Sequence, residues 1–294
     1  MSQSNTKLSP DGRTKTVSHP IIVTWCNAWP IVGLAIAFLL VSTLTEGSAP
    51  ESHPLDPAIA IAQKGLERIH RDFKDYSAVM VKREQIGGKL KEHQYMIVKV
   101  RHEQKKDGRI IEPFAAYLRF LKPKQVKDRE VIFVRGRNNG KMIVHDPPGT
   151  ITGTLGGTLR LKPKGLLAMQ GNRYPIMEIG IENLTQRLLA VARSDRKHQE
   201  CEVHFYKGAK VNQRICTKIE VIHPHKRSHF QFHIARVYLD DEFQVPIRYE
   251  SYDWPQRPGE RPSLLEEYTY LELKFNVGLT DMDFDHKNPA YQFP

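Results

Sequence analysis

Residues 117–148 read YLRFLKPKQVKDREVIFVRGRNNGKMIVHDPP. Tyr117–Leu121 and Val131–Val134 are rich in aromatic and β-branched residues, which suit a pleated, half-buried surface. Asn138-Asn139-Gly140 supplies residues that tolerate positive φ, so a tight hairpin turn is expected there. Pro123 and the run ending at Pro148 close the unit, because proline cannot donate to a strand ladder. The stretch therefore reads as strand, bend, strand, tight turn, strand.

The same reading extends outward. Asp56-Pro57 marks a helix start, and Ile59, Ala62, Leu66, Ile69 and Phe73 recur at helical spacing, which predicts a helix from Pro57 to Phe73. Strands are expected at Tyr76–Gln85, Gln94–His102, Ala116–Leu121, Glu130–Arg135 and Lys141–His145. The short turns between them permit only antiparallel neighbours. Gly149–Gly157 reads as a polar loop without a phosphate-cradling ending. A second helix is expected from Pro175 to Arg196, on Ile176, Ile179, Leu184, Leu188, Leu189 and Ala192. Five further strands follow, the third spanning His229–Leu239. Two amphipathic helices among many strands predict an α+β fold: a strongly curved antiparallel sheet, or half-open β-barrel, covered by the helices.

No charged residue occurs from Pro20 to Thr45, and Ile31–Val41 (IVGLAIAFLLV) is wholly apolar. Lys7, Arg13 and Lys15 precede this run, an order that sends the remainder outward. Eleven apolar residues are too few to span ~30 Å of hydrocarbon. Residues 1–49 thus read as a secretory signal cut near Gly47-Ser48-Ala49, or as an anchor over residues 21–44. Residues 50–294 read as one periplasmic or extracytoplasmic domain. Three of the 44 basic and two of the 33 acidic residues lie in 1–49, so the remainder carries a net +10. Such a charge suits an anionic neighbour or plain solubility.

Cys201 and Cys216 flank KGAKVNQ and are a candidate disulfide in an oxidising compartment. His223, His225, His229 and His233 crowd together, but Lys226 and Arg227 between them favour a basic hairpin tip over a metal site. Asp240-Asp241 and Glu266-Glu267 read as solvated edges, since neighbours on a strand face opposite ways. No hydrolase elbow, zinc-protease or dinucleotide motif occurs. Neither a cofactor nor a nucleic-acid partner is expected.

Alternating apolar positions suggest what the sheet encloses. Phe120, Phe133, Val144, Phe230, Phe232 and Leu273 are candidates to line an apolar cavity, and Leu271, Leu273 and Phe275 read as one face. Lys122, Lys124, Arg135 and Arg137 are candidates to meet anionic headgroups.

The segments YLRFLKP, GRNNGKMIVHDPP, VPIRYESYDWP and FNVGLTDMDFD resemble the LolA/LolB-like lipoprotein carriers over most of residues 55–294. The ending DFDHKNPAYQF resembles a family of uncharacterised secreted bacterial proteins. The first resemblance implies an incomplete β-barrel around an apolar cavity closed by helices. It further implies non-catalytic binding of a lipid, a lipidated protein or another hydrophobic ligand in the cell envelope. Carriers often have an aromatic where this chain has Met142 or Ile143, so the cavity is carried over and the lipoprotein partner is not. The alternative is an envelope signalling or scaffold module that binds a protein through a sheet edge or cleft. An unrecognised hydrolase would need a buried cluster of titratable groups in that cleft.

Overall fold

The computed structural model describes residues 52–148 and 157–294. The expected signal or anchor, and all but the last residue of the Gly149–Gly157 loop, lie outside the described residues. Pro50–Pro294 forms one compact unit. No helix among the described residues is long and apolar enough to cross a membrane.

The first helix, α1, spans Asp56–Asp72, with Pro57 in its first turn. After it come β1 (Asp75–Ile86), β2 (Lys89–Leu90) and β3 (Gln94–Arg101). A small ribbon, β4 (Gln104–Lys106) with β5 (Arg109–Glu112), was not anticipated. The opening stretch supplies β6 (Ala115–Lys122), β7 (Glu130–Val134) and β8 (Met142–His145). Asn138, Asn139 and Gly140 all have positive φ, as the turn reading requires. Next are β9 (Thr158–Leu161), the one-turn helix α2 (Leu166–Met169) and helix α3 (Ile181–Asp195). The final meander is β10 (Glu202–Val211), β11 (Arg214–Ile222), β12 (Ile234–Asp240), β13 (Pro246–Tyr252) and β14 (Leu264–Phe275).

The main sheet is antiparallel and twelve-stranded, in the order β10-β11-β12-β13-β14-β1-β3-β6-β7-β8-β9, with β2 on β1. Its end strands do not pair, so the curved α+β sheet stays open. One face carries Met96, Val98 and Val100 of β3, Leu118 and Phe120 of β6, and Val131 and Phe133 of β7 in a single core. The other face of β6–β8 is covered by the C-terminal tail: Ala115, Tyr117, Ile132 and Ile143 pack under Phe284, with Tyr291 and Phe293 beside them. Tyr291 stacks on Tyr117 at 4.0 Å. Buried Glu130 accepts from the Tyr117 hydroxyl at 2.5 Å and from Gln292 N–H at 2.7 Å. Burial on both faces explains why Glu130–Val134 carries no polar alternation.

The second helix starts six residues later than its apolar pattern suggests. Gly180, at φ 109, breaks the chain there, and a Cβ on it would lie 3.0 Å from the Tyr76 hydroxyl. That hydroxyl instead accepts from Ile181 N–H at 3.1 Å. Fully buried Tyr76 on β1 thus seats the first turn of α3.

The far end of α3 is seated by Asp195 and His223, both buried. His223 Nδ1 bonds the Phe232 carbonyl at 3.0 Å, which turns its Nε2 toward Asp195 Oδ2 at 3.5 Å. Burial raises the Asp195 carboxyl to about 6 and lowers the His223 imidazole to about 4. The Asp195 contribution is present below its unfolded value and is lost as pH rises through about 6. The His223 contribution is present above about 6.5 and is lost as pH falls toward about 4. Between those limits the two slopes oppose each other. Asp195→Asn should remove the opposing slope: relative to wild type, urea unfolding should show roughly 1 kcal/mol less stability at pH 5 than at pH 7. An unchanged difference would show that the pair does not titrate as described.

Candidate functional site

Helices α1 and α3 pack on each other and on β11–β13. They leave the β1, β3 and β6–β8 part of the concave face to a different cover. That cover is the chain from Pro163 to Gly180, joined by the first turns of α3. Beneath it lies a cavity of about 350 Å³. Ligand pockets commonly hold ~300–1,000 Å³.

The floor comes from alternate residues of six strands: Met80, Lys82 and Glu84 of β1, Met96 of β3, Leu118 and Phe120 of β6, Val131 of β7, Met142 and Val144 of β8, and Glu266, Tyr268 and Tyr270 of β14. Each set follows from the two-residue strand period. Leu161, Pro163, Leu167, Ile176, Ile179 and Leu184 add apolar walls. Arg129 and Arg187 also reach the lining; each is tied to a carboxylate, Arg129 to Asp146 and Arg187 to Glu178.

One end of the floor is polar. Lys82 Nζ donates to Glu84 Oε2 at 3.2 Å and to Asn172 Oδ1 at 2.6 Å. Glu84 also accepts from Arg173 N–H at 3.2 Å, and its other oxygen lies 2.5 Å from the Tyr268 hydroxyl. Glu266 accepts from the Tyr174 hydroxyl at 3.1 Å, faces Tyr268 at 3.2 Å and pairs with Arg173 Nε at 3.0 Å. Glu84 and Glu266 are opposed across β1 and β14. Burial, with Glu84 nearby, raises the Glu266 carboxyl above its usual range. Burial also lifts the Tyr174 hydroxyl to about 12. Two cations and two carboxylates make this end neutral when all are ionised. It also ties the cover, through Asn172–Tyr174, to the sheet.

Of the six side chains expected to line a cavity, the structure brings Phe120 and Val144 together in this one. Phe133 faces the same side but sits opposite Ala116, against Phe114 at 6.3 Å. Leu273 is in the same core beyond a bulge. The register slips between Ser77 and Val79, and Glu272 has φ 52, so Leu271 leaves the face of Leu273 and Phe275. Phe230 and Phe232 are not on a strand, because β12 begins only at Ile234. Phe230 stacks on the His223 ring at 3.9 Å. Phe232 lines a second apolar void of about 80 Å³ under α1 and α3.

The expected headgroup cations do not converge. Lys122 ends β6 and Lys124 follows it, with Lys122 Nζ 5.5 Å from the Tyr95 ring. Arg135 and Arg137 lie at the opposite end, paired with Glu103 and Asp281 at 2.7 and 2.6 Å. Cys201 and Cys216 are free and buried. Cys216 opposes Ala209, while Cys201 precedes Glu202; seven strand residues, about 23 Å at ~3.3 Å each, separate those levels. No disulfide can span that. Burial instead pushes both thiols to about 11. Asp240 and Glu266 are not solvated edges either. Asp240 is fully buried with Arg214, and Glu266 points into the cavity while Glu267 pairs with Arg248 on the other face. A polar residue amid an inward-facing aromatic row, as in Glu266-x-Tyr268-x-Tyr270, was the available signal.

The fold and site define a class: an α+β protein whose open antiparallel sheet carries a cavity that is mostly apolar and polar at one end. The chain belongs to the DUF1571 family, described as proteins of unknown function, over residues 73–293. No curated protein matches it. Among solved structures it is similar to the lipoprotein LppX of Mycobacterium tuberculosis at 11% identity and TM-score 0.41, covering 78% of this chain and 100% of that one. A LolA superfamily protein of Nitrosomonas europaea gives 10% and 0.31, covering 76% and 97%. The Pseudomonas aeruginosa MucA/MucB complex gives 14% and 0.39, covering 76% and 60%. At these values the likeness extends to no function.

Removing one member of a buried ion pair leaves an uncompensated charge, which costs about 3–5 kcal/mol. Lys82→Met should therefore destabilise the domain by that order in urea unfolding. Adding Glu84→Gln should restore much of the loss. Equal stability of single and double variants would show that Lys82 and Glu84 are not energetically paired.

Proposed function

We propose that this chain is a non-catalytic, extracytoplasmic protein that holds a hydrophobic ligand in the cavity between its sheet and the 163–180 cover. The observation that carries the reading is the unfilled volume itself. Protein interiors are ordinarily close-packed, yet about 350 Å³ lies above a floor of Met, Leu, Val and Phe side chains. The ligand class follows from the two ends. An acyl or similar chain would lie along Leu118, Phe120, Val131, Met142 and Val144. A polar head would meet the Lys82–Glu84–Glu266 end. Those groups are already satisfied by one another, so the head need not carry a compensating charge.

The buried carboxylates also meet one condition for an unrecognised hydrolase. Among the described lining residues, however, no Ser, Thr, Cys or His offers a nucleophile or imidazole base. Glu84 and Glu266 are each engaged by cations and tyrosine hydroxyls. The scaffold reading has its own observation: β10 is the last strand of the sheet, and Phe205 and Tyr206 on it are exposed. Lys207, Lys210 and a bulge at Gly208 blunt that edge against pairing. The carrier reading therefore leads.

Native mass spectrometry on protein isolated from an envelope fraction tests it. Acyl lipid should co-purify. Leu118→Trp and Val144→Trp, which fill the cavity without adding charge, should each lower occupancy several-fold while thermal unfolding stays cooperative. A wild-type protein that is ligand-free and ignores added lipid would sink the reading, and the edge-binding alternative would then lead.

A further inference from the structure

We infer that Arg160–Met169 forms a membrane-contact tip, which seats the cavity on an anionic phospholipid surface. Two adjacent leucines carry the inference. Leu166 is 89% exposed, the most exposed large apolar side chain among the described residues. Leu167 is 59% exposed and also lines the cavity. A single exposed leucine is ordinary. Here two lie side by side on the cover of a proposed lipid site, with three cations just before them. Arg160, Lys162 and Lys164 are exposed, and none has an ion pair among the described residues.

The tip is built rather than loose. Gly165 N–H donates to the Lys162 carbonyl at 2.8 Å, and Met169 N–H to the Gly165 carbonyl at 3.0 Å. Asn172 Nδ2 donates to the Ala168 carbonyl at 3.0 Å, while its Oδ1 accepts from Lys82 on the cavity floor. The leucines are thus presented on a short turn braced against β1. Interfacial binding combines shallow apolar insertion with attraction of basic residues to anionic lipid. A protein partner suits the tip less well, because a stable complex buries about 800 Å² on each side and one helical turn offers far less. A bilayer needs no such area.

The inference rests on the carrier reading for its purpose, but its test does not. The probe is the chain with Cys26→Ser, produced from the full sequence and isolated from the envelope as the cell leaves it. It carries nitrobenzoxadiazole on Leu166→Cys. The titrants are vesicles of phosphatidylcholine with phosphatidylglycerol, or of phosphatidylcholine alone. Emission should rise and shift to the blue with the anionic vesicles only. Lys162→Glu with Lys164→Glu should raise the vesicle concentration for half-maximal response roughly tenfold or more. The same label on Ile111→Cys, an exposed apolar position on β5 outside the cavity lining, should respond less than the label at 166. A silent label at 166, an equal response to neutral vesicles, or a response at 111 without one at 166 would each overturn the inference. Native mass spectrometry of the same samples keeps the two claims apart. Ligand retained with a silent tip overturns the tip alone, and a responsive tip on a chain that binds no lipid overturns the carrier reading alone.

Discussion

The pairing of β1 with β14 is the constraint on which the rest depends. It joins Tyr76 to Phe275 and Glu84 to Glu266, residues almost two hundred positions apart. Without it the chain would hold two separate meanders, β1–β9 and β10–β14, each with a half-covered apolar face. Closing so long a loop is entropically costly and is rewarded only once the non-local contacts form. The reward is concentrated around β1, which pairs with β3 on its other side. The same strand supplies the cavity's Met80, Lys82 and Glu84, and Tyr76 fixes the start of α3. Sheet continuity, helix position and the polar end of the cavity are thus consequences of one register.

The cavity exists because the cover is unequal. Over β11–β13 two amphipathic helices meet the sheet and pack densely, leaving a small void. Over β3 and β6–β8 the cover is an irregular chain with only short helical turns, punctuated by Pro163, Gly165, Pro175 and Gly180. Such a segment brings Leu167, Ile176 and Ile179 to the walls but lacks the continuous apolar stripe of a long helix. It is attached by polar bonds through Asn172, Arg173 and Tyr174, and by Ile176 in the core. A cover held by polar bonds at Asn172–Tyr174 and by apolar packing at Ile176 can be well placed and still leave volume over the floor. Empty apolar cavities commonly stay dry and take up apolar ligands.

Much of this was legible in the chain, in proportion to how local each feature is. The strand alternation of β1, β3 and β6–β8, the helical spacing of α1 and the Asn138–Gly140 turn depend on neighbours within a few residues. Their chain positions came out nearly as expected. The failures share a cause. A two-residue period tells which side chains share a face only while the strand is unbroken. The extra residue at Glu272 reversed the phase of Leu271. The irregular segment before Ile234 took Phe230 and Phe232 off the strand, held there by His223 and His233 backbone bonds. Sequence periodicity also cannot say which half of a face the helices will cover, so Phe133 and Leu273 read like Phe120 but lie outside the lining. Glu266 was misread because a solvated strand and one lining a polar pocket share the same alternation.

The distribution of charge separates what the interior selects from what the surface does. Many of the cations that make the chain basic are already spent: Arg135 on Glu103, Arg137 on Asp281, Arg214 on Asp240 and Arg248 on Glu250. At the polar end of the cavity Lys82 and Arg173 are balanced by Glu84 and Glu266. A balanced, hydrogen-bonded interior discriminates by shape and by polar contacts, since an added net charge there would be desolvated without a partner. The positive charge left over is on the surface, at residues such as Lys124, Lys162 and Lys164. There it acts on the surroundings at a distance set by salt, not on the cavity. On the proposed function, ligand choice and location would be governed by different residues of this fold.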